Sequence, residues 1–504
     1  MQNQRKAGII LSYISTVLNM LISLFFTPFL ISSLGNVEYG IYRIVQSFAG
    51  SLSIMTFGIG TLVSIIIAKC STDNAKKHEQ ENFLAMSLII SIFLSLLILF
   101  IGYIISFGID DLYKSTMTLQ QIILIKKMYI ILVINISVTI FNDLFTGMIN
   151  GNEKFIVSGS IKIFRYIARV CILIILLSAG YKSISIVLTD LLINVVLIIF
   201  EIFYCLNNLH IKIKYYYFDK KLFYSTFAFS VAVFLQAIVN QINQNLDSII
   251  LGAMVKPNLV TIYSIALTIY TCYCSMTSIV GNVFVPHVAK MVENGASGRE
   301  LTDLIIRTGR FQLMGAMSVI IAFIVLGKSF ISIWVGNDKI EVYYITLILI
   351  LPMTVSLIQS TGNAVLDSML KKMGRSIILL VMSGINILLS IFFIKKIGYF
   401  GAAFGTAISV LVGNGIILNA YMYKIFDFEI IRFFKEVSKG IISSCIIAGI
   451  IVIPVEMIIT TNRFTFIIKC IIFILIDGIL LYIHGMNNYE KTVVREIIVK
   501  LKKK

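Results

Sequence analysis

Lys162, Arg165 and Arg169 stand at i, i+3 and i+7, so a helix would carry all three cations on a single stripe. The stretch around them is apolar, and Arg169 falls near its middle. A cation at membrane depth is costly unless it faces a cavity or a partner. Snorkelling to the surface explains Lys162 and explains Arg169 poorly. The chemistry such a row suits is anion capture, because a guanidinium forks onto phosphate or carboxylate oxygens. Arg43 and Gln46, three apart, repeat the pattern on an earlier apolar stretch, where snorkelling to headgroups is the plainer alternative. A different stripe, Gln236, Asn240, Gln244 and Asp247, runs at i, i+4, i+8 and i+11, with Asn243 beside it. Amides along one face match the hydroxyls of a sugar chain. Interhelical hydrogen bonding, worth about 0.6–2 kcal/mol each, is the bland alternative, and four groups in a row exceed what it requires. Asp247 is the candidate for coupling to an ion gradient.

Other chemistry is absent. Gly327-Lys328-Ser329 imitates the end of a phosphate-binding loop, but Ala322 stands where the first glycine is required, so the segment reads as a span interior. His78, His210, His287 and His484 lie near span ends, and no two have metal-ligand spacing. The seven cysteines sit in or beside apolar runs; only Cys272 and Cys274 are close, at neither metal nor redox spacing, so packing is their reading. No cofactor and no metal are expected. Lys126, Lys127, Asp143, Asp190, Glu201 and Asp367 fall near span ends, and Glu456, Lys469 and Asp477 occupy late spans where they can pair with one another.

The elements that must position these residues are membrane helices. Of 504 residues 58% are apolar and 13% charged, against about 25% charged in a soluble domain. Runs long enough to cross roughly 30 Å of hydrocarbon recur along the whole chain. Apolar runs against polar breaks give fourteen spans, near 9–34, 41–68, 83–109, 122–149, 155–179, 183–206, 225–251, 261–286, 311–332, 342–368, 377–394, 401–423, 440–460 and 464–483. The N-terminal run reaches Leu34, too long for a signal peptide, and reads as the first span. Alternate segments between spans hold 27 lysines and arginines on one side against 7 on the other. That asymmetry places both termini in the cytoplasm. The net charge of +17 therefore faces anionic headgroups rather than nucleic acid. The tail Asn487–Lys504, ending in three lysines, reads as an amphipathic surface helix. The sole tryptophan, Trp334, sits at an outer edge, where an aromatic belt is expected.

The chain also carries a faint copy of itself. Leu34-Gly35 closes the first span and Tyr39-Gly40-Ile41-Tyr42 opens the second; Leu251-Gly252 and Thr261-Ile262-Tyr263 do the same about 220 residues, six spans, later. The division expected is 1–206 for an N-terminal lobe, 207–424 for a C-terminal lobe, and 425–504 for two extra spans with a basic tail. A pathway would lie between the halves.

Four segments resemble the polysaccharide flippases of the multidrug/oligosaccharidyl-lipid/polysaccharide exporter superfamily: SSLGNVEYGIYRIVQS (32–47), NLDSIILGAM (245–254), FISIWVG (330–336) and KKIGYFGAAFGTAIS (395–409). The resemblance runs over essentially the whole chain. It implies an all-α integral membrane fold, two pseudo-symmetric six-helix lobes in a V plus two C-terminal helices, working by alternating access. It further implies an undecaprenyl-pyrophosphate-linked oligosaccharide moved across a bacterial cytoplasmic membrane for O-antigen, capsule or similar polymers. Polysaccharide polymerase and glycosyltransferases are the protein partners such a role brings. Relatives place cavity arginines on other helices, notably span 1, which here has none beyond Arg5.

Two transporters of similar build compete with that expectation. A cation-coupled drug exporter would want an acidic cavity, whereas spans 2 and 5 are basic. A peptidoglycan-precursor (lipid II) flippase shares the mechanism. A membrane polymerase or ligase with a large outer loop is excluded, since the longest outer loop, 110–121, has about twelve residues; a DxD-type metal motif for a transferase is absent. A scaffold for a polymer-synthesis complex is the remaining non-transport reading.

Overall fold

A computed structural model describes residues 2–53, 55, 58–70, 77–217, 241, 246–369, 371–460 and 462–502. Among these the chain is mostly helical, with no strand. In order, the helices are α1 Gln2–Ser53, α2 Ile59–Cys70, α3 Lys77–Tyr113, α4 Leu119–Gly151, α5 Phe155–Ser178, α6 Ser183–Phe203, α7 Asp247–Met254, α8 Pro257–Glu293 and α9 Gly298–Val335. There follow α10 Glu341–Ile358, α11 Ser360–Ser368, α12 Lys372–Ile397, α13 Phe400–Val410, α14 Leu418–Phe426, α15 Ile430–Ser438, α16 Ile441–Ile458, α17 Arg463–Leu480 and α18 Asn488–Lys502.

Eleven of the described helical stretches are long and apolar enough to cross a membrane, and the chain is a multi-pass membrane protein. The fourteen expected spans are reconciled with eleven by three particulars. Spans 1 and 2 share α1, which kinks at Gly35 (φ 77°, ψ 166°), a backbone setting that favours a residue without Cβ. Helix α5 spans the right length but carries three cations, which take it out of the apolar set. Span 7 (225–251) lies mostly outside the described residues.

Span 2 departs from expectation. Instead of running 41–68 unbroken, α1 stops at Ser53 and α2 starts at Ile59 after Gly58 (φ 65°). Span 10 is likewise interrupted, at Gln359 between α10 and α11. Gly252 does not end its span. It lies inside α7, and a Cβ there would meet Ile44 at 2.6 Å, so its smallness serves packing rather than a turn.

Two compact units divide the chain: Met1–Ser264 with Ile394–Tyr399, and Ile265–Phe393 with Phe400–Lys504. In the first, α4 is central, packing against α1, α2, α3 and α6, while α5 lies along α1 and α6. Its buried line Ile125, Tyr129, Leu132, Ile136 and Ile140 repeats every three to four residues, the helical period of a packed face. Gly60 on α2 and Gly147 on α4 lie back to back: a Cβ on Gly60 would stand 2.3 Å from the Asp143 carbonyl, and one on Gly147 would stand 2.4 Å from the Gly60 carbonyl. The outer face of α3 is the reverse: Phe93, Phe100, Tyr103 and Phe107 stand 62–64% exposed. A soluble surface does not offer aromatics in such a row; a lipid-facing one does.

In the second unit α9 is central, against α10, α15, α16 and α17. Residues 287–310 were expected as a loop, yet the helix begins at Gly298, capped by Ser297 with Glu300. Arg310 is consequently three turns inside and buried. Its guanidinium reaches Glu490 of α18 (Nε–Oε1 2.6 Å) and the carbonyls of Glu436, Lys439 and Gly485. The tail does form the expected helix, α18. Lys469 pairs with Glu456 at 2.7 Å, as expected of the late spans, whereas Asp477 accepts from Ser318. Gly327, Lys328 and Ser329 are helix interior, with the Lys328 ammonium over the rings of Tyr343 and Tyr344.

Candidate functional site

The hairpin quoted from residues 32–47 builds one end of the first unit. Glu38 accepts from the Ser183 backbone N–H (2.9 Å) and hydroxyl (2.6 Å), so it caps the start of α6. Thr261 donates to the Asn36 carbonyl, and a Cβ on Gly40 would stand 2.0 Å from the Pro257 carbonyl. These contacts fix α1, α6 and the start of α8 against one another. Tyr42, one turn on, is thereby presented to α5.

There the polar faces of four helices meet around a cavity of about 260 Å³. Helix α1 supplies Gln46, α4 supplies Asn135 and Thr139, α5 supplies Arg165, Tyr166 and Arg169, and α6 supplies Asp190 and Asn194. Arg169 donates from Nε to Asp190 Oδ1 (2.5 Å) and from Nη2 to Asp190 Oδ2 (3.2 Å), and Nη2 also donates to the Tyr42 hydroxyl (3.1 Å). Asn194 donates to Asn135 (2.5 Å) and Thr139 (3.2 Å). Arg165 makes no hydrogen bond or ion pair with any described residue, although Asp143 and Glu201 lie within electrostatic reach. Among the described residues, the cavity therefore holds one committed and one uncommitted guanidinium amid amides and hydroxyls.

Lys162 lines a second cavity, of about 530 Å³, one turn along α5. Its walls are hydroxyls and glycines, Ser12, Ser15, Thr61, Ser64, Gly60 and Gly159 among them, and Asp143 shares the lining with Lys162. The Thr146 hydroxyl, also in this wall, donates to the buried Glu201 carboxylate at 2.8 Å. The three cations of α5 thus serve two adjoining chambers rather than one surface.

The structure brings Gln46, Arg165 and Arg169 to one cavity and Lys162 to its neighbour. Arg43 is half-buried one turn from Gln46 and does not line the cavity. Asp247 is buried on α7 and accepts a hydrogen bond from the Tyr263 hydroxyl at 2.7 Å, apart from either lining. Gln236, Asn240 and Gln244 lie outside the described residues. Asp190, a span-end residue by sequence, is the carboxylate that closes on Arg169. A periodic signal for it existed: Asp190, Asn194 and Glu201 stand at i, i+4 and i+11 on span 6, and Asn135, Thr139, Asn142 and Thr146 at i, i+4, i+7 and i+11 on span 4.

Comparisons with known proteins agree with this build. The family model described as polysaccharide biosynthesis protein matches residues 6–292. Comparison with curated proteins gives no significant match. Among solved structures, "Lipid II flippase MurJ, inward closed conformation" superposes with a TM-score of 0.74 at 20% identity, covering 94% of this chain and 98% of that one. A multidrug resistance transporter of the MATE family, solved in an inward-facing conformation, superposes with a TM-score of 0.63 at 13% identity, covering 84% and 94%. A MATE protein solved in complex with MaL6 gives 0.58 at 14% identity over 86% and 97%. At these identities the likeness is one of fold.

Proposed function

This chain belongs to the polysaccharide biosynthesis protein family, and from that premise we propose that it is a flippase for a pyrophosphate-linked lipid oligosaccharide. The cargo would be an undecaprenyl-pyrophosphate-linked glycan, passed from the inner to the outer leaflet of a bacterial cytoplasmic membrane by alternating access. It is a transporter reading, not an enzymatic one.

The observation that carries it is Arg165. An uncommitted guanidinium held at membrane depth beside Arg169, with Gln46, Asn135 and Asn194 around it, suits a group with several anionic oxygens. The hydroxyl-lined chamber at Lys162 suits the sugars that follow. The isoprenoid tail would stay in the bilayer against faces such as that of α3. The lobes at 1–206 and 207–424, cytoplasmic termini, Asp247 as a coupling group, and polymerase or glycosyltransferase partners belong to the same proposal.

A peptidoglycan-precursor flippase is the second reading, favoured by the extent of the superposition on MurJ. Both cargoes carry a pyrophosphate, so the cation site suits either and the sugars discriminate. Complementation decides between them. A strain lacking its polysaccharide flippase should regain surface polymer with the intact gene and lose it with Arg165→Ala at matched expression. Rescue of a strain lacking its lipid II flippase, and not of the first, would overturn the glycan assignment.

A further inference from the structure

Flipping as proposed leaves Asp190 without a role, although this carboxylate has the closest claim on a cavity cation. A carboxylate and a phosphate accept from a guanidinium in the same forked manner. They cannot both hold the Nε and Nη2 edge of Arg169. We infer that Asp190 is the resident anion of the cavity, which an incoming pyrophosphate displaces from Arg169, and that the released carboxylate takes up a proton. The inference rests on the pyrophosphate reading above and adds its consequence, a link between cargo binding and proton binding.

Among the described residues that line the cavity, the only cations are Arg165 and Arg169, the two that a pyrophosphate would itself engage. From α5 it faces Arg165, Tyr166 and Arg169; from α1, Tyr42 and, beside it, Arg43. From α4 the neighbours are the uncharged Asn135 and Thr139, while that helix's own carboxylate, Asp143, lines the other chamber. A pyrophosphate, carrying more than one negative charge, engages Arg165 together with Arg169. The amide of Asn194, one turn along α6, is already donating to Asn135 and Thr139.

A carboxylate left in such a place without a counter-charge is expensive, and neutralisation is the cheaper course. The proton comes from water entering with the cargo: one carboxylate and one proton become one carboxylic acid, and no other bond changes. Departure of the cargo reverses the step, since Arg169 regains Asp190 and the proton leaves.

The test uses the purified full chain in detergent and inorganic pyrophosphate as the probe. Binding heat is measured near neutral pH in two buffers of different ionisation enthalpy, which yields the protons taken up per pyrophosphate. The same titration is run on Asp190→Asn, with Asp190→Ser in reserve should the first variant fail to unfold cooperatively. Protons that belong to pyrophosphate itself appear in both proteins and cancel in the difference. The expected difference is about one proton, with affinity about ten-fold higher in the variant because a competitor worth an ordinary charge-assisted bond is gone. Binding to both proteins with no difference in protons overturns this inference alone. Absence of binding to the wild-type protein overturns the pyrophosphate reading and this inference with it.

Discussion

Arg169 and Asp190, on neighbouring helices, join through two parallel hydrogen bonds, with side chains only 23% and 24% exposed. Removing either partner leaves the other's charge uncompensated in a low-dielectric setting. Arg169→Met and Asp190→Leu should each lower stability by up to about 3 kcal/mol, the lesser end for a buried pair because a quarter of each group still meets the cavity. The double variant should recover most of that loss. Thermal unfolding in detergent measures all three, and a double variant as unstable as the sum of its parts would show that the pair is not what holds α5 to α6.

Arg165 behaves differently, since it makes no hydrogen bond or ion pair with any described residue. Arg165→Ala should unfold at the wild-type temperature within a degree or two while losing between about ten-fold and a hundred-fold in pyrophosphate affinity, the worth of one charge-assisted hydrogen bond. Arg165→Lys should keep part of it, as a point charge without the fork. Equal affinity in the alanine variant would remove Arg165 from the site.

Gly60 and Gly147 allow α2 and α4 to touch backbone to backbone. Gly147→Ala should cost about 1–3 kcal/mol, the ordinary penalty for overpacking. Gly108→Ala is the control, because a Cβ there meets nothing within 4 Å, and should stay within about 0.5 kcal/mol of wild type. Fluorescence-detected size exclusion after a temperature series reads both.

Orientation can be checked with single cysteines in a cysteine-free background. Lys114 lies just past α3 and Lys435 in α15, on opposite sides by the charge pattern, and both are exposed. In intact cells an impermeant maleimide should label Lys114→Cys and spare Lys435→Cys until the membrane is opened. The reverse pattern would invert the assignment of the termini.

The spans were legible because apolar length is a property of single segments, and each is written out in order along the chain. Even the exceptions had local signs: Gly35 and Gly58 mark the two breaks early in the chain. Relations between segments were harder. The stripe Lys162, Arg165 and Arg169 was visible, but nothing in α5 says that a carboxylate from α6 closes on the third cation and leaves the second open. The same limit applies to Arg310, which by charge alone belonged with the surface lysines and arginines of its segment. Its burial depends on Glu490, 180 residues away, and no periodicity connects two positions so far apart.

That last distance has a consequence for biosynthesis. Every partner that satisfies the Arg310 guanidinium, from Glu436 to Glu490, is made after it. At about 5–20 residues per second, Arg310 waits on the order of 10–40 s for Glu490 to be made. Through that interval the Arg310 guanidinium lacks these partners. The clasp between α9 and α18 therefore closes only late in synthesis, after the rest of the second unit's helices have been made.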